Sequence, residues 1–436
     1  LEEKTQNQSA IPNETSFNNV KITETNIQPI LPTPHIDGPT TDGKMYTLTS
    51  STGVSGDVEL IQTLTGNEVT TLELIGAISY DAAGIDLNPT NDQLYSSTSV
   101  STDGLTIAAG SHNSDLVRVY ENSGNNTWTQ KGTDITTGTT QTTLIKQMVA
   151  TLNADGSRIV VSSPYSDGGG ASGSNRGETR IYEYVTSDWV LMGSPIQGEG
   201  DGDLDGYEKQ NSISSDGSIV AIGGIYNDSL GGNAGQTRVF EYDNTTSDWV
   251  QMGSDIEGGS VNEYLGSNSD LSSDGLTVIV GSQGQFKASV YTYNGTAWIQ
   301  KGTDINVESI PGQGTTKSFT KFGVGCNISG DGSIVVVGDL IADIDPTNTT
   351  SSNEGRYRTY KYDNNSSDWV AFGNAIYGPS AGAQMRHPIL SDNGMYLGGY
   401  KSGEIYKYNS TTELWEVIDS GNLYNGVTGL KNIDIS

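Results

Sequence analysis

Cysteine, histidine and basic residues are all scarce in this chain of 436 residues. It has one cysteine, Cys326, three histidines (His35, His112 and His387), and 22 lysines and arginines against 52 aspartates and glutamates. A single cysteine excludes an internal disulfide framework, and its setting in FGVGCNIS suits a small thiol packed within a strand. No Cys/His group has metal-ligand spacing. Neither a Gly-x-Ser-x-Gly elbow nor a phosphate loop occurs. The net charge of −30 argues against nucleic acid as a partner, since that calls for basic patches. It argues equally against adsorption on anionic lipid. No run of about 18 apolar residues is present, so no membrane span is expected.

What the chain does have is repetition. An Asp-Gly dipeptide between β-patterned runs, a strong hairpin signal, occurs at Asp42, Asp103, Asp155, Asp216, Asp274 and Asp331, and in altered form at Asp392-Asn393-Gly394. These turns are 52 to 61 residues apart. Tryptophan recurs further along each unit, at Trp128, Trp189, Trp249, Trp298, Trp369 and Trp415, with Leu72 in that place in the first. Each unit reads as four short strands, as in YEKQNSISSDGSIVAIGGIYNDSLGGNAGQTRVFEYDNTTSDWVQMGSDI (207–256). Repeats of this length built of strand and turn predict an all-β, seven-bladed β-propeller of four-stranded antiparallel blades. The tryptophans, identically placed, are expected to pack between blades.

The repeat resembles the FG-GAP type found in the integrin-α head and in secreted and algal-virus proteins, with its pattern FG-x-S-V-x-L-S-x-DG-x-x-x-A-x-G-A-P. Phe322-Gly323 keeps the FG pair, Leu265-Gly266 is close to it, and Ser163-Pro164 approximates the GAP ending. The resemblance spans 41–436 and implies a propeller exposed on an outer surface.

Residues 1–40 are polar, contain Pro12, Pro29, Pro32 and Pro34, and lack the repeat. They are expected to form an extended arm docked on a partner or a neighbouring subunit, with 41–436 as the propeller. The first unit begins at its second strand. The alternating run GVTGLKNIDIS (426–436) is expected to supply the missing inner strand and close the ring, so that no edge is left open.

Long loops gather on one face, opposite the Asp-Gly turns, and rigidly presented loops are where partners bind. Tyr165 and Asp167, Tyr226 and Asp228, and Asp343 and Asp345 are the candidates there. In EGDGDLDG (199–206), Asp201, Asp203 and Asp205 alternate before a glycine like the first half of a calcium loop. Its later positions are Lys209 and Ser212, so an acidic surface loop is the alternative. Sequons in the turns before the tryptophans make Asn125, Asn244, Asn294, Asn364 and Asn409 glycosylation candidates, although those turns favour Asn, Ser and Thr in any case. Since no spacing singles out an acid–base pair, no catalytic residue is expected. The sequence therefore predicts a non-catalytic recognition or adhesion propeller, extracellular or on a virion or cell surface, contacting protein or glycan through its long-loop face. A structural subunit of a capsid, fibre or surface layer is the alternative, and an enzyme acting on polysaccharide ranks third.

Overall fold

A computed structural model describes the strands within 14–75 and the chain from 94 to 419. It omits 112–113, 123–127, 139–146, 169, 172, 208–210, 307–321, 341–353, 379–382, 384 and 401–403. The chain divides into two compact units, Leu1–Asp86 with Asn122–Thr129, and Leu87–Glu121 with Gln130–Ser436.

The second unit holds a six-bladed β-propeller, not the seven-bladed one the repeat count predicts. The inner strands of blades 1 to 6 are Leu94–Val100, Val149–Leu152, Asn211–Ile213, Leu265–Leu271, Phe322–Ile328 and Arg386–Leu390. Every blade is an antiparallel meander of four strands. In blades 2 to 5 a two-residue strand, such as Ile256–Glu257, adds to the edge of the third strand beyond the tryptophan strand.

The first repeat is not a seventh blade. Its strands Lys44–Ser50, Ser55–Thr65 and Glu68–Ile75 continue a five-stranded meander begun by Glu14–Phe17 and Val20–Pro29. Val20 pairs with Ser50 and Ile22 with Leu48, so part of the expected arm occupies the edge assigned to the C-terminal run. A strand a few tens of residues away closes a far shorter loop than one at the other end of the chain. This unit also has Leu72 where the others have the tryptophan that joins blades. Residues 426–436 lie outside the described residues.

Within a blade the second strand is the most deeply buried. IVAIGG (219–224), TVIVGS (277–282) and IVVVGD (334–339) are buried along their whole length. Neighbouring blades cover both faces, which explains the continuous apolar run; each fully buried Val or Ile contributes about 1.5–3 kcal/mol.

Two sets of contacts join the blades. At the rim, the indole Nε1 of Trp189, Trp249, Trp298 and Trp369 donates at 2.7 Å to a backbone carbonyl of the preceding blade, on Lys131, Met192, Met252 and Lys301 respectively. The next residue in that preceding blade is a left-handed glycine. A Cβ on Gly193 would lie 2.9 Å from Trp249 Cδ1, so the motif needs glycine there. The aspartate before the tryptophan completes the latch: Asp248 accepts from the N–H and hydroxyl of Ser194, at 2.7 and 3.1 Å. Near the axis, backbone N–H groups run from blade to blade: Thr102 to Ala154, Ala154 to Ser215, Ser215 to Ser273, Ser273 to Gly330, and Gly330 to Asp392.

The Asp-Gly turns have a different geometry from the type I′ hairpin the dipeptide suggests. Only the glycine takes positive φ, as at Gly217 (73°). The aspartate instead organises the turn through its carboxylate, with Asp216 accepting from Ser214 Oγ and Ser218 N.

Candidate functional site

The inner strands run from the blade connections towards the Asp-Gly turns and ring a central channel. Four residues before each turn residue Asp103, Asp155, Asp216, Asp274, Asp331 and Asn393 stands one side chain of the channel waist. These are Ser99, Thr151, Ser212, Asp270, Asn327 and Ile389, one per blade, shared by a cavity of ≈ 140 Å³ and another of ≈ 160 Å³. The polar members form a belt. Ser99 Oγ accepts from Leu152 N of the next blade, Ser212 Oγ from Leu271 N, Asp270 Oδ2 from Ile328 N, and Asn327 Oδ1 from Leu390 N. Small polar residues recur here because these four each cap an N–H of the next blade, while the Thr151 hydroxyl donates to Asn211 Oδ1 at 2.7 Å. Ile389 has no acceptor to offer, so the pattern stops at blade 6.

The smaller cavity lies on the side of the blade connections, and its lining includes Ser97, Asn211, Asn268, Asp270, Cys326 and His387. Asp270 is the only carboxylate among its described lining residues. It accepts from Ser212 Oγ at 2.8 Å, Asn327 Nδ2 at 2.5 Å and Ile328 N at 2.9 Å, and such donors favour the charged form. Cys326 donates to Asn268 Oδ1 at 3.2 Å, and burial pushes its thiol up, away from the reactive thiolate.

His387 is the unusual member. The inner strands of blades 4, 5 and 6 all enter through a bulge. In blades 4 and 5 the left-handed residue there is glycine, Gly266 and Gly323, each with φ 83°. In blade 6 it is His387, with φ 48°. A side chain in this conformation costs about 1–2 kcal/mol that glycine avoids.

Neither Asp270 nor His387 stands out in the sequence. The acids were too many to choose among, and the histidines are remote from one another along the chain. The usable signal was positional: Asp270 holds a place that is Ser, Thr or Asn in four other blades, and His387 sits at the entry bulge.

The acidic run does not assemble as the calcium reading requires. Asp201 is exposed and its Oδ1 takes Arg176 Nε at 2.7 Å. Asp203 is buried and accepts from Gly200 N and Asn227 Nδ2. Asp205 is paired with Arg238 Nη2 at 2.6 Å. Each carboxylate has its own donor, and among the described residues no three acidic, histidine or cysteine side chains are placed to hold a metal.

Asp205 occupies a position filled by Leu265 and Met385 at later joints, where the backbone N makes the same bond to the preceding blade. Burial raises its carboxyl from 3.8 to about 7, against the pull of Arg238. A folded pKa above the unfolded one means that bound proton stabilises the fold. That contribution is full below about pH 4 and is lost as pH rises through about 7. The melting temperature of Asp205→Asn should therefore gain on the wild type as pH rises from about 4 to about 7. Parallel pH curves for the two proteins would refute this.

On the long-loop face, Tyr165 meets Tyr207 edge-on at 6.1 Å and Tyr226 meets Tyr264 at 6.0 Å. Asp167 accepts from Gly173 N, and Asp228 from Asn233 N, so both carboxylates close their own loops. Asn244, Asn294 and Asn364 are exposed in their turns, and the Asn409 amide is held by Glu416. Asp343, Asp345 and Asn125 lie outside the described residues.

No protein-family model matches the chain, and no curated protein does. Solved propellers do. One is described as a candidate 6-phosphogluconolactonase from Bacteroides uniformis ATCC 8492. It is 12% identical with TM-score 0.50, over 88% of this chain and 93% of that one. Another is the periplasmic gluconolactonase of Pseudomonas aeruginosa, 10% identical with TM-score 0.50, over 86% and 94%. At this identity the shared property is the β-propeller fold. The FG-GAP resemblance thus reaches the fold without a matching family. The expected non-catalytic recognition or adhesion role and its capsid or fibre alternative run against the names of these two neighbours, both described as lactonases. Among the described residues no helix is long and apolar enough to cross a membrane.

Proposed function

We propose that the chain is a hydrolase of a small, polyhydroxylated cyclic ester of the sugar-lactone class. Its site is the half of the channel on the side of the blade connections. The observation that carries this reading is His387, a residue lining the cavity in a backbone conformation that blades 4 and 5 give to glycine. Strain of this kind persists where function requires it. The names of the fold neighbours supply the reaction class, and one of them also motivates a secreted or periplasmic setting.

In this reading His387 is the general base. It takes a proton from water as the water oxygen adds to the lactone carbonyl carbon. The tetrahedral intermediate then breaks its bond to the ring oxygen, which receives the proton from the imidazolium and leaves a hydroxy acid. Asp270, held in place by its three donors, favours the imidazolium from the same cavity. Its fixed position means that no reorganisation is needed as charge develops. A cavity of ≈ 140 Å³ has the volume of about five waters, which suits a single sugar-sized ring entering from the mouth.

Acid release from glucono-δ-lactone, followed by titration against the spontaneous rate, tests this directly. The rate should rise in proportion to protein concentration. A rate equal to that of buffer at every concentration would remove the reading.

A further inference from the structure

We infer that the site selects an uncharged sugar lactone and discriminates against its phosphorylated counterpart. This rests on the hydrolase reading and deepens it. Recognition of a phosphate draws on arginine forks, lysine ammonium groups or helix N-termini. The described residues lining the cavity include no lysine or arginine, and their one charge is the Asp270 carboxylate. No helix occurs among the described residues, so none of them presents a helix N-terminus to the channel.

The far mouth reinforces the selection. There exposed Asp103, Asp155, Asp216, Asp274 and Asp331 each follow the residue that bonds from blade to blade near the axis, and in blade 6 exposed Asp392 is itself that residue and lines the channel. Hydrogen bonds from Ser214 and Ser218 help hold Asp216 below the usual carboxylate range, against desolvation, and Asp331 is held in the same way by Ser329 and Ser333. A ring of fixed negative charge repels a dianion at a distance and lowers its local concentration. The groups that do line the cavity, Ser, Thr, Asn and a carboxylate, match the hydroxyls of an unphosphorylated ring as donors and acceptors. Of the two activities named among the fold neighbours, the charge on this channel fits the one whose substrate carries no phosphate.

The test measures binding separately from turnover. Calorimetry on the full chain with gluconolactam and with its 6-phosphate, at low and high salt, reads affinity without hydrolysis. The neutral lactam should bind at least about tenfold more tightly at low salt, and the gap should narrow as salt screens the carboxylates. Thr98→Lys, which places an ammonium group among the residues lining the cavity, should raise affinity for the 6-phosphate relative to the neutral lactam and so narrow or reverse the preference. Tighter binding of the 6-phosphate to the wild type, or no binding of either lactam, would overturn the inference. If the neutral lactam binds better but no lactone is turned over, the charge selection stands and the hydrolase reading falls. If lactones are hydrolysed with the phosphorylated one preferred, the reverse holds.

Discussion

Replacing His387 with glycine is expected to abolish lactone hydrolysis and to raise the melting temperature. The catalytic loss follows from removing the general base, which typically supplies 10²–10⁴-fold in rate. The gain in stability follows from the backbone. At φ 48° an imidazole-bearing residue costs about 1–2 kcal/mol that glycine does not. The greater freedom of glycine in the unfolded chain returns part of this, leaving a net gain of roughly 0.5–1 kcal/mol. His387→Gln should lose the rate while keeping the strain, with an unchanged melting temperature. A histidine that merely packs gives the opposite signs, with stability lost in the glycine variant and hydrolysis retained in both.

The largest loss of stability is expected at the rim. Trp249 is 9% exposed, packs at 5.3 Å on Tyr242, and donates to Met192 of the preceding blade. Trp249→Ala empties the joint between blades 2 and 3 and should cost about 3–5 kcal/mol. Trp249→Phe keeps most of the buried area and leaves the Met192 carbonyl without its indole donor, a loss of about 1–3 kcal/mol. Urea denaturation monitored by circular dichroism checks both values. A Trp249→Ala loss below about 1 kcal/mol would mean that the tryptophans do not hold the blades together.

The fold was largely legible because a propeller repeats its instructions. Asp216-Gly217 and its equivalents marked the inner hairpins, and the tryptophans marked the outer strands. What the repeat could not show was which unit leaves the ring. The first has the Asp42-Gly43 dipeptide but not the tryptophan, and pairing between Val20–Pro29 and Lys44–Ser50 was hidden in a polar, proline-containing stretch. The site was harder to read for a physical reason. Belt residues such as Ser99, Ser212 and Asn327 look like ordinary turn-rich sequence, and only their common distance from the turn puts them on one ring. Asp270 and His387 differ from their repeat positions by single substitutions, which composition and motif searches pass over. Asp201, Asp203 and Asp205 were conspicuous in sequence because they alternate, yet folding sends each to a different donor.

The most direct test of the account is a crystal structure of the protein with gluconolactam. The ring is expected in the half of the channel on the side of the blade connections, with His387 at its carbonyl carbon and Asp270 within hydrogen-bonding distance. A lactam bound on the rim or among the long loops, with the channel holding only water, would contradict it.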